Sequence, residues 1–129
     1  MMNGKMKKRI GMIDCCTFNS MYDKQICFQL EMKDKKPYNV SIDHIPEDNV
    51  QIFSQHIQQL ISEIGEVLSA DKRWKNFRNE KIDKENKLEE IADCFIVLMN
   101  VAIYSGFTSE EVEKMILNKM DENFKRLND

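Results

Sequence analysis

The sequence predicts an all-α fold, a helical bundle of three long helices plus a shorter N-terminal helix, assembled into a homo-oligomer. Three observations carry this expectation. Gly supplies 4 and Pro 2 of the 129 residues, too few chain breakers for a sandwich or barrel built on tight turns. Apolar residues recur at helical spacing in four separate stretches. One of those stretches is apolar all round, and in so short a chain its second face is most simply covered by another subunit.

Length and charge narrow the classes further. A chain of 129 residues makes one domain with one proper core. Its 42% hydrophobic and 32% charged residues fit neither a disordered nor a membrane protein. Lys+Arg is 19 and Asp+Glu is 22, a net charge of −3, which argues against a general nucleic-acid binder. No run reaches the roughly 18 apolar residues of a membrane span. Residues 1–16 carry Lys5, Lys7, Lys8 and Arg9 with no apolar stretch behind them, unlike a secretory signal. The expected setting is the cytoplasm, with no membrane partner. Cys15, Cys16, Cys27 and Cys94 form no CxxC, and His44 and His56 are not at zinc spacing, so free thiols are expected.

The elements follow in order. Residues 1–16 show little pattern and form an unassigned N-terminal segment; residues 17–129 form the domain. Over 17–33, Phe18, Met21, Tyr22, Ile26 and Leu30 repeat at helical spacing. Residues 34–46 hold both prolines and read as a loop. Pro46 followed by Glu47 and Asp48 starts the second helix, expected over 47–70, with Val50, Phe53, Ile57, Leu60, Ile61, Ile64, Val67 and Leu68 as its apolar stripe. Residues 71–86 form a charged connection around the single Trp. The third helix is expected over 87–105. Its main face is Leu88, Ile91, Ala92, Phe95, Leu98, Met99, Ala102 and Ile103, and its second face is Cys94, Val97 and Val101. Gly106 stops it. Thr108, with Glu111 three residues on, opens the last helix as a capping box, and Val112, Met115, Ile116, Met120, Phe124 and Leu127 mark its apolar face.

Two carboxylate pairs point to chemistry. Glu63 and Glu66 lie in SEIGEV on the second helix, and Glu90 and Asp93 lie in EEIADC on the third. The i, i+3 spacing puts each pair on one helix face. If the two helices run antiparallel, the pairs meet. Such a cluster repels itself unless a divalent cation neutralises it, and an all-oxygen set suits Mg²⁺, or Mn²⁺, and a phosphate-bearing substrate. With 22 acidic residues in 129, roughly four such pairs arise by chance, so solvated helix faces are the bland account of any single pair. What sets these apart is their place on otherwise apolar stripes. A di-iron bundle site needs Glu-x-x-His twice. Ser41 and Phe53 stand three residues before His44 and His56, which excludes it.

Glu63-x-x-Glu66, 23 intervening residues and Glu90-x-x-Asp93 together resemble the signature of the all-α NTP pyrophosphohydrolases. That superfamily holds the MazG-like proteins, the dCTP pyrophosphatases and the dimeric dUTPases. SEIGEV and LEEIADCFIVLMNVA resemble its two core helices. The segment Lys119-Met-Asp-Glu-Asn123-Phe-Lys-Arg126 is similar to the Lys-x-x-x-Asn-x-x-Arg of MazG-like and dCTP-directed members, and KRWKN, residues 72–76, to the Trp-Lys segment of dimeric dUTPases. The resemblance spans about residues 47–128, and MYDKQICFQLE resembles the short helix that precedes the core.

The resemblance implies Mg²⁺-dependent hydrolysis of a nucleoside triphosphate to the monophosphate and pyrophosphate, with a pyrimidine deoxynucleotide, dUTP or dCTP, favoured, and a role in house-cleaning of nucleotide pools. Glu63, Glu66, Glu90 and Asp93 would hold the metal. Glu63 or Glu66 would take the proton of the attacking water. Lys119, Asn123 and Arg126 would bind the substrate, the cations on its outer phosphates. Trp74 would stack on the base, with Lys72 and Lys75 reaching phosphates. The assembly would be a homo-dimer or tetramer. Each residue also has a plainer account: a basic helix end that suits the dipole for Lys119, Asn123 and Arg126, an apolar plug for Trp74, a hydrogen-bonded residue for His56, an exposed acid for Glu89. The alternative for the whole chain is a non-catalytic helical oligomerisation module, regulatory or antitoxin-like, which needs the apolar stripes and no metal.

Overall fold

A computed structural model describes residues 17–35, 45–75 and 82–129. The N-terminal segment 1–16, most of the 34–46 loop and residues 76–81 of the charged connection lie outside the described residues. The chain is all-α. Helix α1 spans Phe18–Lys35, α2 Val50–Ala70, α3 Lys84–Ile103 and α4 Ser109–Leu127, with a 3-10 turn at Lys72–Trp74. At 18 residues α1 is the shortest of the four. Among the described residues the sole extended pairing is an antiparallel bridge between Asp48 and Ser105.

The chain divides into two compact units, Met1–Asn39 with Phe107–Asp129, and Val40–Gly106. In the first, α1 packs on α4. Tyr22 is fully buried, and its hydroxyl donates to the Phe107 carbonyl at 2.6 Å. Burial, and then the nearby Glu111 charge, push its pKa up to about 12. The start of α4 is the expected capping box: the Glu111 amide donates to the Thr108 hydroxyl and the Glu111 carboxylate accepts from the Thr108 amide. The expected buried face of α4 differs. Met115, Ile116, Met120, Phe124 and Leu127 are exposed on the single chain, because periodicity shows that a face is apolar and not what covers it.

The second unit is an antiparallel hairpin of α2 and α3. One end is tied by backbone, Glu47 N–H to the Ile103 carbonyl at 3.2 Å and Asn49 N–H to the Tyr104 carbonyl at 2.9 Å. The other end is tied by an ion pair, Lys87 to Asp71 at 2.8 Å. The backbone tie corrects the expected start of α2. Glu47 and Asp48 are drawn into extended pairing with the end of α3, so Asn49 becomes the N-cap, its side chain accepting from the Ile52 amide at 3.1 Å. Helix α3 begins three residues before the expected Lys87, capped by Asp83, and ends at Ile103 with Tyr104 as its C-cap, before the expected Gly106; Gly106 follows in the exit turn, where its φ of +84° suits glycine. A Cβ at Gly106 would lie 3.2 Å from the Asp48 amide nitrogen, so a side chain there would also be tight against the start of α2.

The inward side of α3 mixes the two expected faces. Ile103 of the main face and Val97 of the second face are buried, together with Asn100, while Leu88, Phe95 and Leu98 of the main face are exposed. With apolar residues on both sides, spacing alone does not choose between them.

Candidate metal centre

The acidic side chains sit midway along this hairpin. Glu63 projects from α2 on the face it shares with Leu60 and Val67, three residues before and four after. Glu90 and Asp93 project from α3. One carboxylate oxygen each from Glu63, Glu90 and Asp93 lies within 4.8 Å of the other two. Glu63 and Glu90 are half-buried and Asp93 is exposed.

Three anions this close oppose one another, and Glu90 records it. Burial first, and then Asp93, Glu66, Glu63 and Glu89, raise its pKa above the ordinary carboxylate value. Glu66 is thus near enough to act on Glu90 but stands outside the trio and is exposed. Burial, and then Glu63, Asp93 and Glu90, also push up the Cys94 thiol; Cys94 and Cys27 are free, as expected, and Cys15 and Cys16 lie outside the described residues. An oxygen-only, mutually repelling trio is what a hard divalent cation neutralises, so the donor set fits Mg²⁺ or Mn²⁺. His56 takes no part in the trio. It stacks on Tyr104 with ring centroids 5.2 Å apart, and burial lowers its pKa.

One turn further toward the loop end of the hairpin, Val67, Leu68, Asp71, Arg73, Trp74 and Lys87 bound a groove of about 470 Å³. Asp71 organises it. Its carboxylate accepts from Arg73 Nε at 2.9 Å, Arg73 Nη2 at 2.8 Å and Lys87 Nζ at 2.8 Å, and also from the Arg73 amide. The Arg73 and Lys87 hydrogen bonds hold its pKa well below the usual carboxylate range. The Trp74 indole N–H donates to the Leu68 carbonyl at 2.9 Å, satisfying a carbonyl left open at the end of α2. The ring remains 56% exposed, with Lys75 Nζ 5.4 Å from its centroid. Trp74 is therefore a wall of an open groove, its indole N–H fixed to the end of α2.

A family model described as dUTPase matches residues 17–129. The chain belongs to this dUTPase family. The match agrees with the resemblance to the all-α NTP pyrophosphohydrolases and extends it over α1, beyond residues 47–128. Membership supports a nucleotide hydrolase of the pyrophosphatase kind. No curated protein and no solved structure matches the chain significantly.

Among the residues that the sequence singled out in this dUTPase-family chain, Glu63, Glu90 and Asp93 come together, Glu66 is adjacent, and Trp74 lines the groove with Lys75 against its ring. Lys72 is exposed at the start of the 3-10 turn. Lys119, Asn123 and Arg126 belong to α4 in the other unit, on one helix face and exposed, with Lys119 paired to Glu122 at 3.0 Å. Sequence reasoning passed over Asp71 and Lys87. The available signals were an aspartate directly after the end of a helix, a capping position, and a lysine one turn before Glu90.

Among the described residues no helix is long and apolar enough to cross a membrane.

Proposed function

We propose that this dUTPase-family chain hydrolyses a nucleoside triphosphate to the monophosphate and pyrophosphate, with Mg²⁺ (or Mn²⁺) as its metal, and serves as a house-cleaning enzyme of nucleotide pools. The observation that carries the reading is the Glu63–Glu90–Asp93 trio within 4.8 Å, inside a match to a dUTPase family model over 17–129. That family makes dUTP the first substrate to test, with dCTP second.

Glu63, Glu90 and Asp93, with Glu66 beside them, would hold the metal. When bound, the cation supplies charge neutralisation at phosphate oxygens and a lower pKa for water. Glu63 or Glu66 accepts the proton of the attacking water; Glu66, outside the trio and exposed, is the better placed of the two to carry it away to solvent. Trp74 offers an exposed ring to the base, and Lys72 and Lys75 offer charge to phosphates; Lys119, Asn123 and Arg126, exposed on one face of α4 in the other unit, are the substrate-binding candidates that the family resemblance adds.

Exposed Ile61, Ile64 and Leu68 on α2, and Leu88, Phe95 and Leu98 on α3, support a homo-dimer or tetramer, since water is a poor neighbour for so many large apolar side chains. Cytoplasmic location is part of the same proposal.

The test is pyrophosphate release from a panel of NTPs and dNTPs with Mg²⁺. Wild-type turnover, reduced roughly 10²-fold or more in Glu90→Gln, supports the reading and names the substrate. No turnover on any nucleotide by a folded wild type would instead favour a helical interaction module.

A further inference from the structure

We propose that Lys87 and Arg73 form a seat for a phosphate oxyanion in the Trp74 groove, with Asp71 holding the two cations in place; the seat would take one end of a polyphosphate whose other end lies at the acidic trio, and in that respect rests on the function proposed above.

The geometry is continuous. Lys87 stands three residues before Glu90 on α3, and Val67 four residues after Glu63 on α2, so groove and trio share the seam of one hairpin about one turn, roughly 5 Å, apart. Charge changes sign over that turn. The trio is wholly anionic. The groove has two cations on one carboxylate, Arg73 and Lys87 on Asp71, leaving one positive charge over, and Lys72 and Lys75 flank them. A phosphate chain needs this order: metal-binding acids under one part and cations under the next.

The groove also has donors to give. Lys87 carries three N–H donors, and the bond to Asp71 uses one. Its side chain is 28% exposed, open to a ligand, with apolar Val67, Leu68 and the Trp74 ring along the same groove. Asp71 keeps the cations from spreading into solvent, so their geometry is set before the anion arrives.

The chain has one tryptophan, and it lines this groove, so intrinsic fluorescence reads the seat directly. The probe is inorganic pyrophosphate, titrated at low salt with EDTA present, so that no metal bridges it to the acids. A saturable change of Trp74 emission is expected, weakening as salt rises. Lys87→Met should weaken binding roughly tenfold, and Lys87→Arg should restore most of it. Glu90→Gln should bind at least as well as wild type, because it removes a repelling charge. A nucleoside without phosphates, which the exposed Trp74 ring can accept on its own face, should not displace pyrophosphate; if it competes with pyrophosphate, the groove is a base pocket and the proposal is overturned.

The proposal is also overturned if pyrophosphate leaves emission unchanged. It fails equally if Lys87→Met binds as tightly as wild type while its Tm falls, since the ion pair is then only a latch between the helices. The two proposals separate cleanly. Nucleotide turnover with an unchanged KM in Lys87→Met removes the seat and leaves the enzyme. Pyrophosphate binding that depends on Lys87, without turnover of any nucleotide, removes the enzyme and leaves the seat.

Discussion

At the scale of single residues, two carboxylates one turn apart along the hairpin have opposite electrostatics. Asp71 is held well below its ordinary pKa by Arg73 and Lys87, while Glu90 is raised above its own by burial and by other acids. Their pH dependences therefore have opposite signs. Asp71 contributes stability that is complete above the unfolded value near 3.9 and is lost as pH falls through the native one. The Tm gap between wild type and Asp71→Asn should then be constant from neutral pH to about 4 and shrink below it. The stability contribution of Glu90 is complete below the unfolded value, about 4.3, and is lost as pH rises through the native one. Glu90→Gln should therefore raise the metal-free Tm at pH 7 and not at about pH 4. The same variant should lose the Mg²⁺-induced rise in Tm that the wild type is expected to show. Melting curves over a pH series, with and without Mg²⁺, check all three. Tyr22 supplies a simpler case: Tyr22→Phe leaves the Phe107 carbonyl without its 2.6 Å donor and should cost about 1–2 kcal/mol in urea unfolding.

At the scale of elements, the helix ends divide into local and non-local kinds. The Thr108–Glu111 capping box and the Gly106 turn depend on residues within four positions of each other, and both were legible. Thr108→Ala should cost about 1 kcal/mol. The start of α2 was not legible, because the Glu47 and Asn49 amides donate to carbonyls more than fifty positions away, at the end of α3. Gly106 stands at the meeting of the two kinds. Its φ of +84° is a local demand, and its closeness to Asp48 a tertiary one. Gly106→Ala should therefore cost more than the roughly 1 kcal/mol of the left-handed backbone alone, read by the same urea experiment, and should loosen the α2–α3 end that Asp48 and Ser105 close.

At the scale of the whole molecule, large apolar side chains on α2 and α3 face solvent in the single chain, Phe95 at 66% exposure among them. If a second copy covers them, Phe95→Glu should lower the native mass measured by light scattering to that of a monomer. A wild type that is already a monomer would sink the oligomer proposal. The all-α class, the four helices and the carboxylate spacing were determined by the sequence alone, since helix periodicity and the scarcity of Gly and Pro are local properties. Tertiary structure decided which side of α3 turned inward, with Asn100 only 4% exposed while Leu88 of the expected main face is 67% exposed. It decided that Glu63, Glu90 and Asp93 share a point while Glu66 stands beside it. It also brought Lys87 to Asp71 across sixteen residues of sequence. The physical reason is the same in each case. Spacing along a helix tells which residues share a face, whereas the partner of that face, and the charges it meets, depend on how the hairpin closes.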